Sequence, residues 1–503
     1  MDIVLATFQE MSWVTLLTVF LGTLFGVILG ALPGLGSIVG ISVVIPFTFT
    51  LDSPSAIALL LGVYAGSIYG GSISSVLINT PGTPQSACTA FEGYPMAQQG
   101  KAGEAIGWAT MASVLGGCFS CLLFIVFAPQ LASASSKFGA MELTALVLLG
   151  MSSICTLSAE SKIKGIFSGL VGLMCAIVGQ DPMTGEVRFT FDFYPLMSGI
   201  TLIPIVVGAF AIAEVLARVD AITRTEQTNP ISCAGMVLPS LSQLLHRWKI
   251  LLKSSFIGVI IGILPGAGST AAAFISYGEA KRSSENRDNF GKGEPDGIIA
   301  AEASNNAVTG GALVPAMALG LPGDAVTAVM LATLILHGVV PGVRLMQESP
   351  TIVYSAFITL FVANILLIPC GMLVMRGFSQ LLRIPEPLFL PFIYLICLLG
   401  AYSSRGNSLD FYLAIIAGAV GIVFRYFSIP VAPLVIGLVL GAPFEYSLRQ
   451  SFIVTEGNIM GELIEHPIAV FLLALTVVIQ VLPWISSMRA RHRQKAAQKQ
   501  SQS

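Results

Sequence analysis

Apolar residues fill long uninterrupted windows of this chain, and charged residues are confined to the intervals between them. About 20 apolar residues in a helix cross a bilayer, so several windows have room for more than one crossing. Strands of a membrane barrel would alternate polar and apolar positions over roughly ten residues, and these windows do not alternate. The windows without a charged residue are Met11–Leu51, Ser53–Phe91, Ala105–Ser136, Ser349–Met375 and Pro467–Met488.

The pattern predicts an all-α polytopic membrane protein with about 11–12 transmembrane or re-entrant segments. Of the 503 residues, 54% are hydrophobic and 10% are charged, whereas soluble domains average about 25% charged residues. Cys118 and Cys121 form a C-x-x-C pair inside an apolar run, with no second pair beside it. We therefore expect these thiols to pack in the core rather than to bind a metal.

The basic residues are distributed unevenly along the chain. Lys101 is the first of them, whereas the segment 489–503 carries five basic residues and no acidic one. Because basic segments stay on the cytoplasmic side of a membrane, we expect a cytoplasmic C-terminus and an N-terminus on the opposite side.

A twelve-residue motif occurs twice. The stretch GVILGALPGLGS begins at Gly26 and GVIIGILPGAGS begins at Gly258, with nine identical positions. Each copy is followed by a double glycine and then by a second Pro-Gly, at Pro81 in the first case and Pro322 in the second. Two ordered features in the same sequence indicate an internal duplication. The predicted order is a first membrane repeat (1–216), a cytoplasmic polar connection (217–253), a second membrane repeat (254–488) and a basic cytoplasmic tail (489–503).

The charges that flank the two copies indicate their orientation. Glu10 and Asp52 border the first copy, without a basic residue, whereas Lys253 and Lys281 border the second. The two copies therefore start from opposite faces of the membrane, as in the inverted repeats of secondary transporters.

The Leu-Pro-Gly motifs predict broken helices. Proline removes a backbone donor, and a freed backbone group in lipid costs several kcal/mol unless protein, water or ligand satisfies it. A half-helix that starts after the break presents free N–H groups and a positive dipole end, which bind anions. A proline kink filled by neighbouring helices is the competing interpretation. The residues predicted to bind substrate at these breaks are Gly34, Gly36, Ser37, Gly266, Gly268 and Ser269.

Polar residues surround the second Pro-Gly of each half. Asn305 and Asn306 share one helical face with Glu302 and Thr309, and such a face must meet a cavity or a partner. Asp324 follows the last Pro-Gly directly and either binds a coupling cation or caps a helix in a solvated loop. The residues predicted to bind substrate here are Asn79, Thr80, Pro81, Gly82, Thr83, Asn305, Asn306 and Gly323, and the coupling-ion candidates are Ser37, Asn79, Asn305 and Asp324.

The segments that contain the breaks have no lysine or arginine. We therefore expect helix termini, hydroxyls and amides, rather than an arginine clamp, to hold an anion there. The chain has no Walker lysine, zinc-binding H-E-x-x-H or nucleophile elbow, so we expect no enzyme activity and no cofactor. A coupling ion, Na⁺ or H⁺, would supply the energy.

These motifs together resemble the large membrane subunit of the tripartite tricarboxylate transporters. The resemblance extends from about Leu16 to the last span. It implies an elevator-type symporter subunit of the bacterial inner membrane that imports citrate or related carboxylates. It also implies two partners, a small membrane subunit (TctB-like) and a periplasmic solute-binding protein (TctC-like). The matching positions are Pro33, Gly34, Gly36, Ser37, Asn79, Pro81, Gly82, Thr83, Pro265, Gly266, Gly268, Asn305, Asn306, Pro322 and Gly323.

Asp324 departs from this resemblance, because the family usually has a small hydroxyl residue there. A carboxylate would disfavour a bare anion unless a cation or proton accompanies it. Two alternatives stay open: a stand-alone permease for another small anion, and a membrane-embedded enzyme in which Glu302 and Asp324 form a titratable pair. A homodimer is compatible with all three readings.

Overall fold

A computed structural model gives the fold. It describes residues 7, 12–135, 137–156, 161–181, 183–221, 235–264, 266, 268–342, 345–381, 386–478 and 480. The basic tail, Glu10, Pro265 and most of the connection around residues 222–234 lie outside the described residues, so the expectations for them and the domain boundaries stay predictions.

The described part of the first half is helical apart from one short hairpin, β1 (Gly179–Gln180) with β2 (Val187–Arg188). Its helices are α1 (Trp13–Ala31), α2 (Gly36–Thr48), α3 (Ser53–Ile78), α4 (Ala87–Met96), α5 (Ala102–Ser135), α6 (Ala140–Thr156), α7 (Lys162–Ala176), α8 (Leu202–Val206) and α9 (Ala213–Ala221), with a π-helical turn (Val207–Ile212) between the last two.

The described part of the second half is also helical. Its described helices are α10 (Leu241–His246), α11 (Trp248–Ile263), α12 (Gly268–Ser283), α13 (Pro295–Leu319), α14 (Ala325–Leu336), α15 (Leu345–Glu348), α16 (Pro350–Leu381), α17 (Glu386–Ser403), α18 (Ser408–Tyr426), α19 (Ala432–Val454), α20 (Ile459–Glu462) and α21 (Pro467–Val478).

The prediction of an all-α polytopic membrane protein is confirmed. Among the described residues, six helical stretches are long and apolar enough to cross a membrane, and the bent pair at residues 459–478 brings the number to seven. Shorter apolar helices such as α2 and α14 are not included in that number. The predicted count of 11–12 segments, which includes re-entrant ones, therefore stays a prediction.

Helices α1 and α3 run parallel and touch backbone to backbone. Gly22 lies against Leu59, Gly26 against Val63, and Gly30 against Ser67, so the two residue numbers rise together along the contact. Small residues allow this close approach in membrane helices. Because α1 and α3 point the same way, α2 must run back between them, which makes α1 and α2 a hairpin with Leu-Pro-Gly at its tip.

The second half has the same arrangement. Gly258 of α11 lies against Ser304 of α13, and Gly262 lies against Gly311. Helices α11 and α13 are therefore parallel, and α12 returns between them. The repeated motif thus forms the tip of a helical hairpin in both halves, and each tip lies part of the way along the longer helix beside it.

The two broken helices, α3–α4 and α13–α14, run in opposite directions. At one end, the Ser53 hydroxyl at the start of α3 donates to the His337 carbonyl after α14, at 3.1 Å. At the other end, the Glu92 carboxylate of α4 accepts from the Gly293 and Glu294 amides before α13, both at 2.9 Å. Each broken helix therefore begins where the other ends, and the inverted repeat stays a prediction.

Helices α6–α9 and α17–α19 form a second group that joins both halves. Gly172 of α7 lies against Leu434 of α19, and Gly208 of the π-helical turn lies against Ala414 of α18. Among the remaining helices, which we call the first group, Gly116 of α5 lies against Ala303 of α13. Helices from opposite halves are thus neighbours in both groups, and the breaks lie in the first group.

We predict that Gly30→Ala destabilises the protein. A Cβ at this position would lie 2.2 Å from the Ser67 carbonyl oxygen, so α1 and α3 must separate. Overpacking of this kind costs about 1–3 kcal/mol and should lower the melting temperature of the detergent-purified protein. Gly278→Ala is the control, because nothing lies within 4 Å of the added Cβ and alanine favours a helix. Equal melting temperatures for the two variants would contradict the proposed packing.

Candidate functional site

The first hairpin tip combines a left-handed turn with a buried hydroxyl. Gly34 and Gly36 have φ values of 82° and 54°, a region in which glycine is favoured over other residues. Helix α2 begins at Gly36, and the side chain at its N-cap position accepts no hydrogen bond from the first turn of the helix. Ser37, in its first turn, is 5% exposed, and its Oγ has no hydrogen-bond partner among the described residues.

An arginine reaches this tip from another part of the chain. A Cβ on Gly34 would lie 2.3 Å from Nη2 of Arg218 in α9, so the guanidinium rests on the glycine. Glu214 accepts from Arg218 at 3.3 Å and from Arg425 at 2.6 Å. Arg218 thus lies beside the first tip although the segments that contain the breaks have no lysine or arginine of their own, and which groups hold an anion there stays a prediction. No local pattern links Arg218 to Gly34, because they belong to helices far apart in the sequence.

The second hairpin tip is bonded directly to the second broken helix. The Gly266 amide donates to the Gly323 carbonyl at 2.8 Å, which brings two of the predicted residues together. Gly266 and Gly268 again have positive φ values, 79° and 71°. Ser269 is buried at the start of α12.

The break between α3 and α4 is packed against the first hairpin. Helix α3 ends at Ile78, and its C-cap residue Asn79 has a left-handed backbone with φ 53°. Gly82 leaves no room for a side chain, because a Cβ there would lie 1.9 Å from the Gly30 carbonyl oxygen. The Thr83 amide donates to the Ser86 hydroxyl at 3.2 Å, whereas Oγ1 of Thr83 is buried without a partner among the described residues.

The structure places Asp324 at the N-cap of α14. Its Oδ1 accepts from the Thr327 amide at 2.7 Å, and its Oδ2 accepts from the Tyr64 hydroxyl at 2.8 Å. The capping alternative is thus what the structure contains, but the residue is 6% exposed rather than solvated. The bond to Tyr64 ties α14 to α3.

Asn305 and Asn306 are fully buried in the middle of α13. Both amide groups, four polar atoms in all, have no hydrogen-bond partner among the described residues. A buried polar group left in this state costs about 1–3 kcal/mol, and natural proteins satisfy such groups with water, ions or ligand. Helices α12 and α13 both contact the turn Pro84–Ser86 that follows Thr83.

Comparing the two halves in register shows that the two breaks differ. The Pro-Gly steps at Pro81 and Pro322 place Tyr64 in register with Asn305, and Thr83 in register with Asp324. In one combination of a residue from each half, the Tyr64 hydroxyl and the Asp324 carboxylate bond to each other. In the other, Asn305 and Thr83 are both without a partner among the described residues. The first combination is satisfied within the protein, whereas the second, which we call the open break, leaves its polar atoms without a partner among the described residues.

Glu302 and Asp324 do not form the titratable pair considered for an enzyme. Glu302 is bound by Thr89 of α4 and Ser113 of α5, whereas Asp324 is bound by Tyr64 and Thr327. The two carboxyl groups share no partner among these contacts.

A cavity of about 400 Å³ lies beside the β1–β2 hairpin and α19, lined in part by Asp181, Arg188, Glu445 and Arg449. These four side chains neutralise one another. Arg188 contacts Glu445 at 2.7 Å and Arg449 contacts Asp181 at 2.7 Å. The Met183 amide and Arg449 hold the pKa of Asp181 well below its usual value. This cavity therefore presents no unpaired charge to an anion.

Comparison with known proteins identifies the family. The profile of the tripartite tricarboxylate transporter TctA family matches residues 16–436. An uncharacterized 52.8 kDa protein in the TAR-I ttuC' 3' region of Agrobacterium vitis is 35% identical over 475 residues, 93% of this chain and 94% of that protein. An uncharacterized protein in the TAR-II ttuC' 3' region of the same organism is 31% identical over 237 residues, 47% of this chain and 98% of that protein. No solved structure matches.

The matched profile covers both hairpins and both broken helices, including the open break with its unpartnered asparagines. The chain is a multi-span membrane protein and a transporter component rather than an enzyme, and it belongs to the tripartite tricarboxylate transporter TctA family.

Proposed function

We propose that this chain is the large membrane subunit of a cation-coupled transporter that imports tricarboxylates or related carboxylates. The observation that carries the proposal is a set of buried polar atoms without a partner among the described residues, on Ser37 at the first hairpin tip, on Thr83, and on Asn305 and Asn306 of α13. A transporter must bind its substrate and release it again, so its site has to leave such groups free between cycles.

The chemistry of the open break suits a carboxylate. Hydroxyl and amide groups of Ser37, Thr83 and Asn305 can donate to its oxygens. The start of α2 adds free N–H groups and the positive end of a helix dipole. Arg218 adds positive charge beside Gly34. None of these groups is a nucleophile activated by a base.

The subunit would act with two partners in the bacterial inner membrane. The family description implies a tripartite transporter, so we propose a small membrane subunit (TctB-like) and a periplasmic solute-binding protein (TctC-like) that delivers the substrate. Na⁺ or H⁺ would couple uptake to its gradient, and the helix group with the breaks would move in an elevator-type cycle. A stand-alone permease remains the second candidate, and it differs in needing no binding protein.

We predict uptake of labelled citrate or a related carboxylate by proteoliposomes that contain the chain and its small membrane subunit. Uptake should require both the solute-binding protein and an imposed Na⁺ or H⁺ gradient, because no other energy source is present. Vesicles without the chain are the control. Uptake without any gradient would contradict symport, and full uptake without the binding protein would favour the stand-alone permease.

We predict that Asn305→Ala and Thr83→Val abolish the rise in melting temperature that the transported carboxylate causes in the wild type. Ligand stabilisation follows RT ln(1 + [L]/Kd), so loss of binding removes it without unfolding the apo protein. Asn364→Ala in α16 is the matched control, because this buried asparagine lies outside the two breaks and its Nδ2 donates to the Leu360 carbonyl within its own helix, while its Oδ1 has no partner among the described residues. Unchanged ligand stabilisation in both site variants would place the site elsewhere.

We predict opposite membrane faces for positions 5 and 285. Single cysteines would be introduced there after replacement of the eight native ones, and labelled with a membrane-impermeant maleimide on intact and opened spheroplasts. Position 5 should react from the periplasm and position 285 only after opening. Labelling of both from the same side would contradict the inverted repeat.

A further inference from the structure

Among the buried carboxyl groups of the described residues, Glu302 is the one whose contacts include no charged or backbone donor. Its side chain is fully buried in α13. Thr89 of α4 donates to Oε1, and Ser113 of α5 donates to Oε2 at 2.9 Å. Among the described residues, no lysine, arginine or histidine forms an ion pair with it. Both of its partners are hydroxyl groups.

Each of the other buried carboxyl groups of the described chain accepts from a charged group or from a backbone amide. Asp410 pairs with Arg405 at 2.9 Å, and Asp181 pairs with Arg449 at 2.7 Å. The remaining three each accept from at least one backbone amide: Glu92, Glu142 and Asp324. Charged and N–H partners favour the ionised form of a carboxyl group. Glu302 differs from all of them.

A pair of hydroxyl partners is compatible with both protonation states. A hydroxyl group can donate to a carboxylate or accept from a carboxylic acid, whereas an N–H group can only donate. Thr89 and Ser113 can therefore reorient when Glu302 takes up or loses a proton. Burial without a counter-charge makes the ionised form costly, so the site is built to hold a proton and to release it.

Among the described residues, the titratable groups within electrostatic range of Glu302 on neighbouring helices are a thiol and a phenol, and none of them is a lysine, arginine or histidine. Cys88 of α4 lies within electrostatic range of both Glu302 and Glu92, and Tyr69 of α3 within range of Glu302. Tyr277 of α12 donates to Glu92 at 2.7 Å. Cys370 of α16 lies close to Tyr69. Glu92 itself accepts from Tyr277 and from the amides before α13, and it shares none of these partners with Glu302.

Glu302 lies one helical turn from Asn305 and Asn306, on the same face of α13. A negative charge there would repel an anionic substrate at the open break. Binding of a proton to one carboxylate oxygen removes that charge without breaking any other bond. The proton and the carboxylate substrate therefore favour each other's binding, which is the thermodynamic basis of symport.

We propose that Glu302 binds the coupling proton of this transporter, with Thr89 and Ser113 as the hydroxyl groups that accommodate both of its protonation states. This proposal rests on the proposed function, since it assigns the coupling ion of the same site. The proton enters from the side where substrate binds and leaves to the cytoplasm after the substrate.

The test compares wild type with Glu302→Gln in proteoliposomes with the binding protein and small subunit. The glutamine is permanently neutral, so exchange of internal for external carboxylate should continue. Uptake driven by an inside-alkaline gradient should fall by about tenfold or more, within the usual range of coupling. Glu302→Asp should restore part of the driven uptake. Driven uptake by Glu302→Gln at the wild-type level would overturn the proposal.

A second measurement counts protons directly. Calorimetry of carboxylate binding in two buffers of different ionisation enthalpy should give proton uptake by wild type and none by Glu302→Gln. Glu92→Gln is the matched control, because this equally buried carboxylate is held by amides, and its proton uptake should equal that of wild type. Proton uptake by Glu302→Gln would overturn the proposal even if transport were lost.

Two further outcomes separate this proposal from the proposed function. If wild-type uptake depends on Na⁺ and is indifferent to a pH gradient, proton binding by Glu302 is overturned, while the carboxylate transporter stands. If wild type neither takes up nor exchanges any tested carboxylate, the proposed function itself fails. Should Glu302→Gln not fold, Thr89→Val with Ser113→Ala keeps the carboxyl group and should shift the pH midpoint of uptake; an unshifted midpoint would contradict the role of the hydroxyls.

Discussion

Backbone contact at glycine holds the two helical hairpins in place, and the rest of the site depends on it. Gly26 and Gly30 press α1 onto α3, and Gly258 and Gly262 press α11 onto α13. Dispersion contacts between such close helices replace the hydrophobic driving force that lipid cannot provide. With the outer helices fixed, each tip is held at a constant depth beside a longer helix, where its free backbone groups must find a partner within the protein or a ligand.

The duplicated framework carries two unequal breaks. Tyr64 and Asn305 occupy the same register position in the two halves, and so do Thr83 and Asp324. Tyr64 and Asp324 bond to each other, whereas the amide of Asn305 and Oγ1 of Thr83 have no partner among the described residues. One break is thus satisfied by contacts within the protein, and the other is the one to which we assign ligand binding in the proposed transporter.

Local sequence patterns predicted what local chemistry determines. Apolar windows gave the helical class, and Leu-Pro-Gly gave the hairpin tips where Gly34 and Gly266 adopt positive φ values. The contacts of Arg218 with Gly34 and of Tyr64 with Asp324 join helices that are remote in sequence. Such contacts depend on how helices pack, which no periodicity encodes. The same reason explains why Asp324 is recognisable as a cap, whereas its burial is not.

The bonds that join the ends of the two broken helices have a mechanical consequence. Ser53 is tied to the end of α14, and Glu92 is tied to the start of α13. Hydrogen bonds at both ends oppose sliding of the two broken helices past each other, so these helices form one unit. In the proposed elevator-type cycle, the displacement that carries a substrate across the membrane would then take place where this unit meets the other helices, and the contact of Arg218 in α9 with Gly34 joins the two.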